Sequence, residues 1–102
     1  MGQEPQPAEE PGITFQGSGE SPEDPVIIKG APNHQLGVAA EYRFISHKYG
    51  LRDVHWRLEM QMLLKGPRMM DLIGIELADG TKKEIYFDLS DFWGKIQTFK
   101  CN

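Results

Sequence analysis

The periodicity of the chain changes at Gly50. Up to that glycine the apolar residues recur at helical spacing. Beyond it they alternate strictly: Val54, Trp56, Leu58, Met60, Met62 and Leu64 point one way, and His55, Arg57, Glu59 and Gln61 the other. Alternation over this length calls for a strand with one buried face. A second apolar run from Met69 to Leu77 and a third from Ile85 to Leu89 follow across turn-forming residues. The stretch from Val54 to Leu89 therefore reads as a three-stranded antiparallel meander.

Parity fixes the expected pairing. A four-residue turn over Lys65-Gly66-Pro67-Arg68 sets Leu64 against Met69, Met60 against Ile73, Leu58 against Ile75 and Trp56 against Leu77, with Met62 against Asp71 as the one mismatch. At Asp79-Gly80 a two-residue hairpin turn would place Ile75 opposite Glu84 on the same face. A three-residue loop, Ala78-Asp79-Gly80 with Gly80 left-handed, places Ile73 opposite Ile85 and Asp71 opposite Phe87 instead. The sheet then offers Ile73, Ile75, Leu77, Ile85, Phe87 and Leu89 to the core.

Before Gly50 the chain reads as a helix from about His34 to Tyr49, with Asn33 as N-cap and Gly50 closing the C-terminal end. Gly37 near its start carries a helix-propensity cost. At 100° per residue, Val38, Tyr42, Ile45 and Tyr49 fall in one sector, whereas Leu36, Ala40 and Phe44 fall almost opposite. A helix on an open sheet needs one apolar stripe. The second must be covered by the N-terminal strand and C-terminal segment, or by another molecule.

Pro25-Val26-Ile27-Ile28-Lys29 precedes the helix as a short edge strand or an extended packing segment. The expected fold is α+β, one long helix packed on an antiparallel sheet of three to four strands in the order β-α-β-β-β. That order is similar to a cystatin-like roll, an analogy of fold that carries no function. Ser90 is expected to cap a single turn through Asp91, Phe92 and Trp93, ended by Gly94, with the two aromatics, helped by Phe99, closing one end of the core.

Residues 1–24 hold six acidic side chains and no Lys or Arg, together with Pro5, Pro7, Pro11 and Pro22. So little apolar surface cannot offset the entropy of ordering, and the segment reads as a disordered acidic leader. The alternatives are that Ile13-Thr14-Phe15 adds an edge strand, or that the acidic stretch folds back as a mask. A single domain over 25–95 and a tail over 96–102 complete the expected organisation.

Removing the leader leaves 11 basic and 9 acidic side chains, too weak a positive balance for a duplex nucleic-acid surface. Cys101 is the only cysteine, so no intramolecular disulfide can form and a reducing cytoplasm is the default compartment. No apolar run resembles a signal peptide or a membrane span, and neither a prenylation nor a myristoylation pattern fits. A soluble cytoplasmic protein is expected.

Catalytic and metal chemistry find little support in the residues. His34, His47 and His55 lack the close spacing of a metal site, and Gly17-Ser18-Gly19 lacks the rest of a phosphate loop. Asp53 with His55, or Asp88 and Asp91 around Ser90, could be imagined as acid/base groups, but neither forms a motif. No catalytic residue, cofactor or metal is assigned. Two noncatalytic functions remain. The first is an interaction module, self-associating or binding an unknown protein, through the spare helix stripe (Leu36, Ala40, Phe44) or a patch of Leu63, Leu72 and Tyr86 on the sheet's outer face. The second is a small-ligand pocket between helix and sheet, lined by Tyr42, Trp56, Met60, Met62 and Met69.

Overall fold

The computed structural model describes residues 12–93; the expectations placed on residues 1–11, on Gly94 and on the tail from Ile96 onward, Phe99 included, lie outside them. Six elements follow in order: β1 (Thr14–Gln16), β2 (Val26–Lys29), α1 (His34–Tyr49), β3 (Trp56–Leu64), β4 (Met70–Leu77) and β5 (Lys82–Asp88). They form one α+β layer pair, a single helix on a five-stranded sheet of order β1-β2-β5-β4-β3.

Helix α1 begins and ends where local chemistry says it should. The Asn33 side chain accepts from the Leu36 backbone N–H at 2.9 Å, and the Gly50 N–H donates to the Ser46 carbonyl at 2.9 Å with φ at 109°. The meander is also present, and its second turn is the three-residue one. Gly80 has φ of 92°, its N–H donates to Leu77 O, and Ile73 pairs with Ile85 and Asp71 with Phe87.

The sheet is mixed, not antiparallel, and has five strands. β2 is no edge: it runs parallel to β5, with Val26 beside Phe87, and its far side takes β1 antiparallel, Phe15 opposite Ile28. The reason lies in the helix. Val26 and Ile28, both fully buried, extend the apolar surface of Ile85 and Phe87 sideways, so that α1 rests on a wider floor. The hairpin then brings Phe15 to 5.5 Å from Phe44, between ring centroids, while Phe87 meets Phe44 edge-on at 5.8 Å. Of the alternatives for the segment before Pro25, the strand at residues 14–16 is the one in the structure. The loop after it also serves the sheet, because Gly19 O accepts from Tyr86 N–H at 2.9 Å where β2 does not reach.

The two helix stripes turn out to be the flanks of one broad buried arc. Gly37, Ala40, Glu41 and Ile45 are the buried residues of α1, and at 100° per residue they bridge the gap between the stripes. Gly37 is explained by a close approach. A Cβ there would lie 2.4 Å from the ring of Phe92, which packs directly on the helix backbone and is itself fully buried. Phe92 thus closes that end of the core as expected, whereas Trp93 does not and stays 41% exposed, with His34 edge-on to both rings. The cap of this last turn is Asp88, not Ser90: the buried Asp88 carboxylate accepts from Ser90 N–H and from Arg68 Nη1, each at 2.8 Å.

The largest departure from expectation is a bulge in β3. Trp56 pairs with Leu77 and Leu58 with Ile75 as parity requires, but Met60 then pairs with Gly74, Met62 with Leu72 and Leu64 with Met70. One extra residue at Glu59 exchanges the two faces of everything beyond it. The connection after Leu64 lengthens to five residues, 65–69. The bulge lays the Met60 side chain over Gly74, where a Cβ would be only 3.3 Å from the Met60 methyl carbon, and sets Leu63 in place of Met62 opposite Asp71.

Candidate functional site: the free edge of the sheet

Among the described residues the order of strands leaves β3 as one edge, nine residues long, with backbone groups directed outward that no other strand pairs. Its start is occupied. The loop at Arg52 and Asp53 folds back on Trp56, bridging it in parallel fashion, with Asp53 N–H bonded to the Trp56 carbonyl. The Trp56 indole donates to Gly50 O at 2.8 Å, and the Arg52 guanidinium lies over the rings of Tyr42 and Trp56. His55 is drawn into the same loop, its Nδ1 accepting from Leu51 N–H at 2.8 Å. Asp53 and His55 are thereby each explained as parts of a turn. The free edge begins beyond it.

The bulge divides that edge into two chemically distinct halves. Before it, on the sheet's outer face, Arg57 bonds Glu76 at 2.6 Å and Lys82 bonds Glu59 at 2.9 Å, a solvated cross-strand network in which Arg57 holds the Glu76 carboxyl below the usual carboxylate range. After it, Met60-Gln61-Met62-Leu63-Leu64 carries no charge. Met60, Met62 and Leu64 lie on the outer face with Met70, Leu72 and Tyr86, by their register with β4 and of β4 with β5. Gln61 and Leu63 turn to the helix side. Met62 is 48% exposed and Leu63 36%, among the largest apolar exposures of the described residues.

This geometry reassigns the residues singled out from sequence. Of the interaction set, Ala40 is fully buried and Phe44 is half-buried against the core, while Leu36 is half-buried, so most of the helix stripe is spent within the molecule. Leu72 and Tyr86 are adjacent on the outer face, while the bulge carries Leu63 to the other side. Of the pocket set, Trp56, Tyr42 and Met69 remain with the core, whereas Met60 and Met62 are on the opposite face of the sheet. Between helix and sheet, Ile45, Ile73, Ile75 and Phe87 are all at most 1% exposed. The five residues do not converge.

Beneath the edge sits a feature that the apolar pattern concealed. Glu41 is fully buried in the middle of the helix's inward arc, facing Asp71 of β4. Burial, reinforced by the Asp71 carboxyl, pushes the Glu41 carboxyl up to about 10, so it is held as the neutral acid. Neither of its oxygens meets a hydrogen-bond partner among the described residues, although Asp71 is close enough to raise its affinity for the proton. Asp71 accepts from Gln61 Nε2 at 3.0 Å, and the Gln61 carbonyl accepts from the Tyr42 hydroxyl. Burial and the neighbouring Glu41 hold that hydroxyl above its ordinary value. A chain of polar groups therefore links a buried carboxyl pair to the edge strand at Gln61. The signal in the sequence was a glutamate placed between Gly37, Ala40 and Phe44, in the gap between the two stripes.

Among the described residues no group of three or more His, Cys, Asp or Glu is placed to hold a metal ion, and no helix is long and apolar enough to cross a membrane. No family model, no curated protein and no solved structure matches the chain.

Proposed function

We propose that the protein is a noncatalytic protein-interaction module, acting in the cytoplasm, whose site is the β3 edge from Met60 to Leu64 with the methionine face beside it. The observation that carries the reading is the edge itself: five successive uncharged residues on a strand that pairs on one side only among the described residues, with Met62 and Leu63 exposed. Free edges of this kind are ordinarily blunted by Lys, Pro or covering loops, since an open row of N–H and C=O groups accepts another strand. Here the charges and the covering loop stop at the bulge. Methionine adds a surface that adapts to its partner. The compartment rests on the single cysteine of the chain.

The test is capture from the source cell's lysate with the full chain as bait, comparing wild type with Met62→Lys. The substitution is on an exposed side chain, so the helical circular dichroism signal should be unchanged. Wild type should retain proteins, copies of its own chain included, that Met62→Lys loses. An identical bound set from the two baits would overturn the reading.

A further inference from the structure

The edge strand is self-complementary, and we infer that its occupant is β3 of a second copy, paired antiparallel about a two-fold axis through Met62; this rests on the edge being the interaction site. Two features of β3 select the arrangement. The first is hydrogen-bond direction. Ala78 N–H donates to His55 O and Leu77 N–H to Thr81 O, so even-numbered residues of β4 face β3. Met60, Met62 and Leu64, paired with Gly74, Leu72 and Met70, therefore spend their backbone groups on β4, and Gln61 and Leu63 direct theirs outward.

The second feature is side-chain parity. In a sheet continued across two copies, paired residues share a face, so the two residue numbers of every pair must add to an even total. A two-fold at Met62 pairs Met62 with Met62, Met60 with Leu64 on the outer face, and Gln61 with Leu63 on the helix side. All five uncharged residues find partners among themselves. Gln61 and Leu63, the residues with free N–H and C=O groups, become the hydrogen-bonded pairs. Moving the axis to Gln61 or to Leu63 sets Leu63 against Glu59 or Gln61 against Lys65 instead.

The contact is isologous and therefore terminates at two copies, and Glu59, held on the outer face by Lys82, lies outside the seam. The bulge at Glu59 fixes where pairing stops, because beyond it the ladder parity inverts.

The pairing makes a geometric prediction at one residue. Met62 meets its own copy in the non-hydrogen-bonded position, where antiparallel Cα atoms are about 4.5 Å apart, within the span of a disulfide. In a Cys101→Ser background, Met62→Cys should give a covalent dimer under mild oxidation with diamide, whereas Gln61→Cys and Leu63→Cys, whose like residues lie on opposite sides of the axis, should give several-fold less. Light scattering on the unmodified chain should show twice 11.6 kDa, and Met62→Lys should return it to the single-chain mass with its helical signal intact. A single-chain mass for the wild type at millimolar concentration, or cross-linking at 61 or 63 in preference to 62, overturns the inference. A monomer that still loses lysate partners on Met62→Lys would retire the second copy and keep the edge as the interaction site.

Discussion

Replacing Glu41 with Gln should stabilise the protein at neutral pH, by an amount that grows with pH. The folded state holds the Glu41 proton up to about pH 10, against 4.5 for the ordinary carboxyl. In the unfolded chain the side chain ionises near 4.5, so between these values the folded state binds the extra proton and stability falls as pH rises. The sign is that of an acid with a raised folded value. The cost of keeping it protonated vanishes below pH 4.5 and grows progressively up to about 10. At pH 7 the offset is about 2.5 pH units, or about 3 kcal/mol at about 1.4 kcal/mol per unit. Glutamine has nearly the same shape, never ionises, and can donate its amide N–H toward Asp71. Urea unfolding followed by the fluorescence of the buried Trp56 reads the difference. With a slope of about 1 kcal/mol per molar urea for a domain this small, the midpoint of Glu41→Gln should exceed that of wild type by about 2 to 3 M at pH 7. The two should converge near pH 5. A difference that stays constant from pH 5 to 8 would show that Glu41 is ionised, or solvated, in the folded state and would refute the reasoning.

Other substitutions test the packing. Gly37→Ala, which stabilises an exposed helix by about 1 kcal/mol, should here destabilise by about 1 to 3 kcal/mol because the new methyl meets the Phe92 ring; Phe92→Leu in the same chain should recover part of the loss in thermal unfolding. Gly74→Ala meets only the flexible end of Met60 and should cost less than about 1 kcal/mol by the same assay. Phe44→Ala should cost about 2 to 4 kcal/mol in urea unfolding and release β1, which fluorescence alone would miss but faster amide exchange at Phe15 would report. Arg68→Ala strips a charged donor from the buried Asp88 and should cost about 1 to 2 kcal/mol in urea unfolding at neutral pH.

What could be read from the sequence was local. Asn33, Gly50 and Gly80 each enforce a backbone conformation at their own position, and the helix and the second turn of the meander follow from them. The bulge is different, because alternation runs from Trp56 through Met62, straight across the bulge at Glu59. Its traces were indirect, in Leu63, an apolar residue on the polar set, and in Gly74 between Ile73 and Ile75. Parallel pairing of β2 with β5 joins residues about sixty apart, and nothing in either segment specifies the partner. The candidate site suffered most from this. Met60 and Met62 were expected inside a pocket and Leu63 outside, and one extra residue at Glu59 exchanged them. Glu41 escaped notice for another reason. Counting apolar stripes treats a glutamate as solvent-facing, whereas the arc that packs on the sheet is centred on it.

The outward-facing backbone of β3 is the proposed site, and amide hydrogen exchange of the full chain at low and at high concentration measures it directly. Slowing should be confined to Gln61 and Leu63, whose N–H groups are the free ones, and should appear with rising concentration while the amides of α1 and β4 remain as they were. Exchange at those two residues that does not depend on concentration or on any added partner, or protection that appears on another surface, would contradict it.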